Sequence, residues 1–598
     1  MKQHIIERVH SLRSYMKAHQ LDAFIFPSTD PHCGEYIPEH WKAREWISGF
    51  NGSAGTAVVT LDNAALWTDS RYFIAAEEQL KGTPFTLMKD KLPSTPSITQ
   101  WLTQQLQENC VVGVDAWVNA TNEVFRLKEE LGKNNIFVNT DFNPTEQLWK
   151  ERPSIPLNKI EIHPLVYAGK SVDEKLTDIR AIMHKKHCDG FIISALDEIA
   201  WTLNLRGTDI HCNPLFVSYL FITANNCTLY INKEKLTSEI EEYLKDNHVC
   251  INSYEDILRE LQEFKGEGIL MDFNNTNYKL YSNVNRECWI EDNISPIALM
   301  RIIKNPAEII GYKNAMIRDG IAMVKFLKWL KPAVKDGGQT EISIDKKLTE
   351  FRAEQENYCD ISFDTIAGYG EHGAIVHYEA TPETDIELQP KGLLLLDSGA
   401  QYRDGTTDIT RTIALGPTTD EETHDYTLVL KGHISLARVK FPEGSSGTQL
   451  DICARYAMWQ EGINYLHGTG HGVGSYLCVH EGPHQLRMNY MPTPLKANMT
   501  LTNEPGIYKV GKHGIRIENT QLIIPYMETE FGRFLQFEPL TLCPIDTAPI
   551  DFTMLNKEEA EWLNNYHHIV YERLSPHLDY EHRQWLAEAT KPIFINHN

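Results

Sequence analysis

The sequence predicts a chain of α/β and α+β class, in which two related N-terminal α/β domains precede a larger domain of strands and helices. Three observations support this fold class. The 598 residues exceed what a single hydrophobic core can hold. A short apolar strand behind an amphipathic helix occurs twice, and a strongly capped helix after residue 303 precedes strand-like runs with Gly-rich turns. We expect domains at 1–155, 156–303 and 304–598.

The two N-terminal domains are predicted from one repeated pair of elements. Residues 21–26 form an apolar strand, and the helix before it carries Ile5, Val9 and Leu12 at helical spacing. Residues 188–193 form a similar strand behind a second amphipathic helix. Further strand-like and helical runs follow each copy, so we expect two α/β domains in tandem.

The third domain begins with a recognisable helix start. Asn305 suits the N-cap position, Pro306 the first helical position and Glu308 the third. The side chains of Asn305 and Glu308 can accept from the unpaired amides of a helix N-terminus, and Pro306 has no amide hydrogen to leave unpaired. The apolar positions of the long helix that follows lie on one face, which requires a core to cover it. Strand-like runs at 393–397 and 514–518 indicate mixed or antiparallel sheet with helices.

Composition and charge exclude several classes of protein. Hydrophobic residues make up 42% and charged residues 23%, which is typical of a globular chain and not of a disordered one. The net charge of −24 is unfavourable for binding phosphate backbones or anionic lipid, so we expect neither a nucleic acid nor a membrane partner. The sequence contains no signal-like or membrane-spanning apolar run, and its 11 cysteines contain no Cys-x-x-Cys pair, which favours a cytoplasmic location.

Candidate chemistry in the third domain starts with two aspartates. Asp397 ends a run of four leucines, which places a carboxylate where a buried strand ends. Asp408 follows eleven residues later, after a turn that contains Asp404 and Gly405. The two aspartates can therefore lie on neighbouring strands, although the register stays open.

Four further residues with potential ligand atoms follow in the chain. His467 and His471 stand in a segment with four glycines, which argue against a helix and allow a close approach to the backbone. Glu504 precedes a Pro-Gly pair. In the strictly alternating run 514–519, Arg516 and Glu518 share one face while the isoleucines between them can enter the core.

Asp397, Asp408, His471, Glu504 and Glu518 make an oxygen-rich donor set. Two divalent cations would balance the four carboxylates, which would otherwise repel one another and stay partly protonated. Such a set suits two ions about 3.5–4 Å apart. Structural readings stay open for each part: the aspartates as a hairpin turn, the histidines as a metal-free loop, and Arg516 with Glu518 as a cross-strand ion pair.

The same segments carry a resemblance to a known family. They closely resemble the pita-bread (creatinase/aminopeptidase-like) metallopeptidases, and more narrowly the long, three-domain cytosolic Xaa-Pro aminopeptidases (aminopeptidase P). The matching segments of the third domain are 377–378, 397–400, 405–412, 467–474, 504–506 and 514–519. The segments 46–56, 66–73, 197–207 and 561–567 are similar too, so the resemblance covers nearly the whole chain.

The resemblance implies a dinuclear metal site, usually manganese, whose ligands are Asp397, Asp408, His471, Glu504 and Glu518. One imidazole among the ligands also admits zinc or cobalt. The family further implies a second group of histidines, namely His377, His467 and His480, and it implies Arg516 and Tyr508 as residues that hold the ligands in place.

The activity implied is hydrolysis of the N-terminal Xaa-Pro bond of peptides with proline at position two. In the family mechanism a metal-bridging hydroxide attacks the carbonyl before proline, and Glu504 takes the proton. His480 would meet the oxyanion, His377 would assist the departing nitrogen, and His467 would position the peptide. The family also implies a homodimer.

Three other functions remain open from the sequence. A prolidase would use the same donors on Xaa-Pro dipeptides, and a methionine aminopeptidase would share the fold without the long N-terminal half. A metal-free pita-bread binding module is the non-enzymatic alternative. One departure from the family pattern is the run 370–374, which lacks an Asn that relatives more often carry near its glycine. This departure bears on substrate preference.

Overall fold

The computed structural model describes residues 2–595, which form two compact units. The N-terminal unit comprises the chain up to His163 together with Lys170–Leu299. The C-terminal unit comprises Pro164–Gly169 and the chain from Met300 onward. The three predicted domain boundaries remain predictions.

The first half of the N-terminal unit is a six-stranded sheet with helices. Its elements are α1 (Lys2–Ala18), β1 (Ala23–Phe26), α2 (Ala43–Ser48), β2 (Thr56–Thr60), β3 (Ala64–Thr68), α3 (Phe73–Leu80), β4 (Thr86–Lys89), α4 (Ile98–Gln105), β5 (Val111–Val114), α5 (Thr121–Gly132), β6 (Phe137–Asn139) and α6 (Pro144–Leu148). The strand order is β4-β3-β2-β1-β5-β6. Central β1 is buried on both faces, because Phe24 and Phe26 pack with α1 while Ala23 and Ile25 pack in a second cluster.

Residues 161–301 repeat the arrangement, although 164–169 and 300–301 within this range belong to the C-terminal unit. Its elements are β7 (Glu161–Ile162), α7 (Leu165–Ala168), α8 (Val172–Lys185), β8 (Gly190–Ile193), α9 (Leu196–Leu203), β9 (Leu205–Arg206), β10 (Tyr219–Thr223), β11 (Cys227–Tyr230), α10 (Ser238–Asp246), β12 (Val249–Asn252), α11 (Ile257–Glu263), β13 (Gly268–Met271), α12 (Tyr278–Ser282), β14 (Trp289–Asp292) and α13 (Pro296–Arg301). The strand order is β12-β11-β10-β8-β13-β14.

The two sheets share one topology. The central strand, β1 or β8, pairs antiparallel with β2 or β10 and parallel with β5 or β13. On the antiparallel side the next two pairings are antiparallel and then parallel in both sheets, and on the other side the last pairing is parallel in both. The prediction of two related α/β domains in tandem is therefore confirmed.

The C-terminal unit contains long helices and short antiparallel sheets. Its elements after α7 are α14 (Pro306–Asp336), α15 (Glu341–Ala353), β15 (Tyr358–Ile361), β16 (Ile366–Tyr369), β17 (Leu393–Ser398), β18 (Ala400–Tyr402), β19 (Gly405–Thr406), β20 (Ile409–Ala414), α16 (Asp420–Ala437), β21 (Lys440–Pro442), α17 (Gly447–Trp459), β22 (Gly470–Gly472), β23 (Glu481–Leu486), β24 (Thr500–Asn503), β25 (Gly506–Lys509), β26 (His513–Arg516), β27 (Asn519–Thr529), β28 (Gly532–Pro539), α18 (Lys557–Leu574) and α19 (Tyr580–Ala589).

The predicted start of α14 is confirmed. The Asn305 side chain accepts hydrogen bonds from the amides of Ala307 at 2.9 Å and Glu308 at 3.1 Å. The Glu308 carboxylate accepts one in return from the Asn305 amide at 2.9 Å. This reciprocal capping box satisfies amides that a helix N-terminus leaves unpaired.

Strands β16, β17 and β20 form the sheet on which the candidate site is built. Leu394 and Leu396 of β17 pack with α14 and α15, whereas Leu393 and Leu395 lie in other buried clusters. Burial on both faces fixes this strand firmly, so the residues at its end have a defined position. Within residues 2–595, no helix has both the length and the apolar composition needed to cross a membrane.

Candidate metal centre

Asp397 and Asp408 meet because their strands are antiparallel neighbours. Asp397 lies opposite Thr410 in the β17–β20 pair, and Asp408 directly precedes β20. Both aspartates are buried. The hairpin of β18 and β19 lies between them in the chain and brings it back onto β17.

Glu504 and Glu518 also meet through strand register. The last residue of β24, Asn503, pairs with the first residue of β27, Asn519. Glu504 follows the one and Glu518 precedes the other, so both carboxylates leave the sheet at the same end. The Glu518 amide also donates to the Thr410 carbonyl at 3.0 Å, which brings this end next to β20.

His471 completes the cluster from β22. Its Nε2 atom lies 3.5 Å from Asp408 Oδ2 and 3.5 Å from Glu504 Oε1. The potential ligand atoms of Asp408, His471 and Glu518 all lie within 4.8 Å of one another. The Gly-rich segment is a short strand at this point and not a helix, as its glycines predict.

The tautomer of His471 favours metal binding. Its Nδ1 atom lies 2.8 Å from the carbonyl oxygen of Gly472, which can only accept, so Nδ1 carries the proton. The lone pair on Nε2 therefore faces the carboxylates of Asp408 and Glu504. A lone pair and carboxylates repel one another until a cation lies between them, and a carbonyl partner on the other nitrogen is typical of a metal-binding histidine.

The carboxylates show the electrostatic strain expected of a cation site. Burial, followed by repulsion from Asp397 and Glu504, raises the pKa of Asp408 well above its ordinary value. Burial, followed by repulsion from Asp408 and Glu504, likewise raises the pKa of Glu518. Burial also raises the pKa of Glu504 to about 7. Positive charge among these groups would relieve both the burial cost and the repulsion.

Two carboxylate oxygens without hydrogen-bond partners in the described part of the chain also indicate a cation site. Among residues 2–595, the buried atoms Asp397 Oδ1 and Glu518 Oε1 find no hydrogen-bond partner. A buried carboxylate oxygen without a partner is costly, because it has lost its water and gained nothing in return. The donor set, four carboxylates and one imidazole, fits hard or borderline divalent cations.

Arg516 links the cluster to two further predicted residues. It is buried, and it donates to Asp397 Oδ2 from Nη2 at 2.6 Å and from Nε at 3.1 Å. Its Nη1 donates to the Tyr508 hydroxyl at 2.8 Å, and that hydroxyl lies 2.8 Å from His467 Nε2. Because Tyr508 accepts from Arg516, its own proton can go to His467. The His467 Nδ1–H then donates to the Gly468 carbonyl at 2.7 Å.

The remaining two predicted histidines lie at the border of the cluster. The His480 ring is half-buried and stands edge-on to the His471 ring, with 4.4 Å between centroids. His377 is half-buried and follows Val376, whose carbonyl accepts from Arg516 Nη2 at 3.3 Å. The structure thus brings all ten predicted site residues into one connected region of the C-terminal unit, while their individual roles stay predictions.

Two threonines belong to the site that the sequence analysis did not single out. Thr410 Oγ1 donates to Glu518 Oε2 at 2.8 Å and accepts from Arg516 Nε at 3.2 Å. Thr502 Oγ1 accepts from the His471 amide at 3.0 Å and donates to Glu504 Oε1 at 3.3 Å. Each threonine stands two residues from a predicted ligand, so the two-residue period of a strand was the signal that could have found it.

This fold and donor set define a metallopeptidase, and the family comparisons agree. A family model described as the Creatinase/Prolidase N-terminal domain matches residues 8–144, and a second model of the same description matches 151–308. Metallopeptidase family M24 matches residues 311–525, and the C-terminal region of peptidase M24 matches 533–593. The predicted fold class is confirmed.

Relatives that match almost the whole chain identify a narrower family within the metallopeptidases. The chain is 37% identical to "Aminopeptidase P1" of Arabidopsis thaliana, over 99% of this chain and 100% of that one. It is 39% identical to "Xaa-Pro aminopeptidase 1" of Dictyostelium discoideum, over 98% and 97%. The solved X-prolyl aminopeptidase of Caenorhabditis elegans, described as a cytosolic enzyme with a di-nuclear active site, matches with a TM-score of 0.93 and 34% identity over 98% and 100%. The chain belongs to the Xaa-Pro aminopeptidase (aminopeptidase P) family.

Proposed function

We propose that this chain is a metal-dependent aminopeptidase that releases the first residue of peptides whose second residue is proline. The observation that carries the proposal is the cluster of the buried Asp408 and Glu518 with His471, whose Nε2 also lies 3.5 Å from the half-buried Glu504. The buried Asp397 is tied to the same cluster through Arg516 and Thr410. The chain that carries this cluster matches Xaa-Pro aminopeptidases over almost its whole length. A metal-free binding module would have no use for partnerless carboxylate oxygens in its interior.

Asp397, Asp408, His471, Glu504 and Glu518 are the residues that would hold two divalent cations. Manganese suits the four carboxylates best, and zinc and cobalt are compatible with the single imidazole. When bound, such a pair supplies Lewis acidity toward the peptide carbonyl and makes a water nucleophile available at neutral pH. Arg516 would keep Asp397 oriented toward the ions through its two hydrogen bonds to Oδ2.

Glu504 is the carboxylate placed to move a proton. Its side chain is 17% exposed, against 10% for Asp397 and 5% for Asp408, so it is the more open to substrate and water. One long hydrogen bond from Thr502 leaves most of its lone pairs available. We assign Glu504 as the general base that accepts the proton of the attacking water.

The three histidines would serve the two ends of the scissile bond. His480, beside His471, would stabilise the negative charge that develops on the carbonyl oxygen. His377 would give a proton to the departing proline nitrogen. His467 would position the peptide, because its ring is held at Nε2 by Tyr508 and at Nδ1 by Gly468.

The chemistry of proline supports this choice of substrate. An Xaa-Pro bond has no amide hydrogen and a φ angle fixed near −65°, so a peptidase that recognises an extended hydrogen-bonded strand loses a donor there. The acidic centre suits the free amine of the substrate, which is partly cationic near neutral pH. The chain matches relatives named aminopeptidase over nearly the full length of both chains, which favours this activity over that of a prolidase.

The test is hydrolysis of an Arg-Pro-Pro peptide by metal-stripped protein reloaded with Mn²⁺, Zn²⁺ or Co²⁺. Asp408→Ala removes one ligand, so we expect it to lose about 10³-fold or more in kcat/KM and to bind less metal. Asp336→Ala, an exposed aspartate at the end of α14, is the matched control. Wild-type rates in Asp408→Ala would refute the mechanism. Cleavage of Arg-Pro but not of Arg-Pro-Pro would make the chain a prolidase.

Location and assembly are part of the same proposal. We propose a cytoplasmic enzyme, in line with the relative from Caenorhabditis elegans that is described as cytosolic. We also propose a homodimer, which the family resemblance implies. Cell fractionation and sedimentation of the purified chain are the respective measurements.

A further inference from the structure

A buried arginine joins two strands of the metal centre. Arg411 lies on β20, directly after Thr410, and is 1% exposed. Its Nη1 donates to the carbonyl oxygens of Thr410 at 2.9 Å and Glu518 at 2.6 Å, and its Nη2 donates to Asn519 Oδ1 at 2.8 Å. A guanidinium can stay buried only where its donors are accepted, so these bonds define the relative position of the strands.

The other donors of Arg411 go to the C-terminal segment, which we define as residues 541–574. Nε donates to the Pro544 carbonyl at 3.0 Å, and Nη2 donates to the Cys543 carbonyl at 2.8 Å. Nη2 also donates to the Tyr566 hydroxyl of α18 at 2.9 Å. That hydroxyl in turn has three acceptors in reach, the carbonyls of Cys543 at 2.9 Å and Thr541 at 3.0 Å and the Asn519 side chain at 3.3 Å.

A second route connects α18 to the metal centre. Asn503 Nδ2 donates to the His433 carbonyl at 3.0 Å, and the His433 ring donates back from Nδ1 to the Asn503 carbonyl at 3.1 Å. The His433 ring stands edge-on to Trp562 of α18, with 5.8 Å between centroids. Trp562 in turn stacks on Tyr566, at 5.4 Å and 5° between planes.

The two routes end at equivalent places. Asn503 and Asn519 are partners across β24 and β27, and each is the immediate neighbour of a predicted ligand, Glu504 or Glu518. Helix α18 is therefore linked to the residue next to each glutamate. Tyr566 bonds to Asn519 beside Glu518, and Trp562 contacts His433, which bonds to Asn503 beside Glu504. Arg411 makes three of its hydrogen bonds to the C-terminal segment, so the segment that packs in the core through α18 also holds the strands beside both glutamates.

We propose that the C-terminal segment is a positioning element of the metal centre, which acts through Arg411, Tyr566 and Trp562 on the backbone beside Glu518 and Glu504. These three are positioning residues, because the contacts described above join them to backbone and side chains beside the ligands and not to the ligand carboxylates. The inference rests on the proposed function, since it requires that the two glutamates bind metal. It adds that metal affinity depends on residues outside the region matched by family M24 itself, 311–525.

The direct test is Tyr566→Phe, which removes one hydroxyl and keeps the ring that stacks on Trp562. Mn²⁺ binding to the metal-stripped full-length chain is measured by titration calorimetry, and the visible spectrum of the Co²⁺-loaded chain reports on ligand geometry. We expect about 10- to 100-fold weaker Mn²⁺ binding and an altered Co²⁺ spectrum, because outer partners of ligands typically have effects of this size. The matched control is Tyr571→Phe, which removes a hydroxyl from the same helix and should bind Mn²⁺ like the wild type.

Arg411→Lys is the second variant, since it keeps a positive charge and loses the planar fork that spans the strands. We expect a larger loss of Mn²⁺ affinity than in Tyr566→Phe. If Arg411→Lys does not fold, Tyr566→Phe decides alone. Wild-type affinity and an unchanged Co²⁺ spectrum in Tyr566→Phe would overturn the inference and leave the proposed function intact. A wild-type chain that binds no divalent cation would overturn both.

Discussion

Glu341 accepts hydrogen bonds from three donors of the segment that carries His377. The donors are the Tyr369 amide at 2.9 Å, His372 Nδ1 at 3.0 Å and the Tyr378 hydroxyl at 2.8 Å. Glu341 is fully buried at the first turn of α15 and has no part in the metal centre. One carboxylate thus orders the chain on both sides of a 3₁₀ turn, Gly370–Ala374, that leads to His377.

Glu341→Gln should therefore impair catalysis and spare metal binding. The amide keeps one acceptor oxygen and loses the other, so the segment with His377 shifts or loosens. We expect kcat to fall about 10- to 100-fold, because a displacement of about 1 Å in a reacting group can cost about 100-fold in rate. Steady-state kinetics and metal analysis measure the two properties separately.

The control for this variant is Glu350→Gln, an exposed glutamate on the same helix that pairs with Lys347. It should match the wild type in kcat, KM and metal content. A loss of bound metal in Glu341→Gln would contradict the assignment, since Glu341 would then support the ligands and not the segment of His377.

At the scale of elements, local signals were predictable and pairings distant in the chain were not. The cap of α14 was predicted because Asn305 and Glu308 act within one helical turn. The sequence leaves open the register that opposes Asp397 to Thr410, because the turn with Asp404 and Gly405 closes the inner β18–β19 hairpin and does not fix the outer β17–β20 pair. Arg411 lies in the matching segment 405–412, but the sequence does not indicate its role, since its partners at Cys543 and Tyr566 lie far along the chain.

The docking of α18 also depends on an uncharged histidine. His567 is buried, and its Nε2 accepts a hydrogen bond from the Ile545 amide at 3.1 Å. Burial, reinforced by the charge of Arg411, lowers the pKa of His567 to about 4. In the unfolded chain an ordinary histidine titrates near 6.5. The unfolded state therefore takes up a proton first as the pH falls, and the folded state does so only near pH 4.

This difference predicts acid sensitivity of the C-terminal unit. The contribution of His567 to the free energy of unfolding is complete above about pH 6.5. It is lost progressively as the pH falls toward 4, by up to about 3 kcal/mol in all. We expect the urea midpoint of the wild type to fall over this range and that of His567→Asn to fall less steeply. His568→Asn, at an exposed neighbouring position, should follow the wild type. Equal slopes in wild type and His567→Asn would contradict the prediction.

At the scale of the whole molecule, the metal donors all belong to one of two units. The N-terminal unit has its own cores around two sheets that repeat one topology. That repetition was predictable, because each copy shows the same helix and apolar strand in order. The donors are confined to the C-terminal unit. Burial and mutual repulsion raise the pKa values of Asp408 and Glu518 there, and a bound cation would relieve this repulsion. A bound cation should therefore stabilise the C-terminal unit against unfolding.

Calorimetric unfolding should therefore respond to metal in one unit only. A ligand that binds the folded state alone, at about 100 times its Kd, stabilises it by about 2.7 kcal/mol. For a unit of roughly 300 residues this corresponds to a rise of about 4 °C in Tm. We expect Mn²⁺ added to the metal-stripped chain to raise one of two transitions by this amount, and we expect Asp408→Ala to abolish the rise. Asp336→Ala should keep it. A wild-type chain in which Mn²⁺ moved neither transition, or moved both equally, would show that the cations do not bind where the four carboxylates converge.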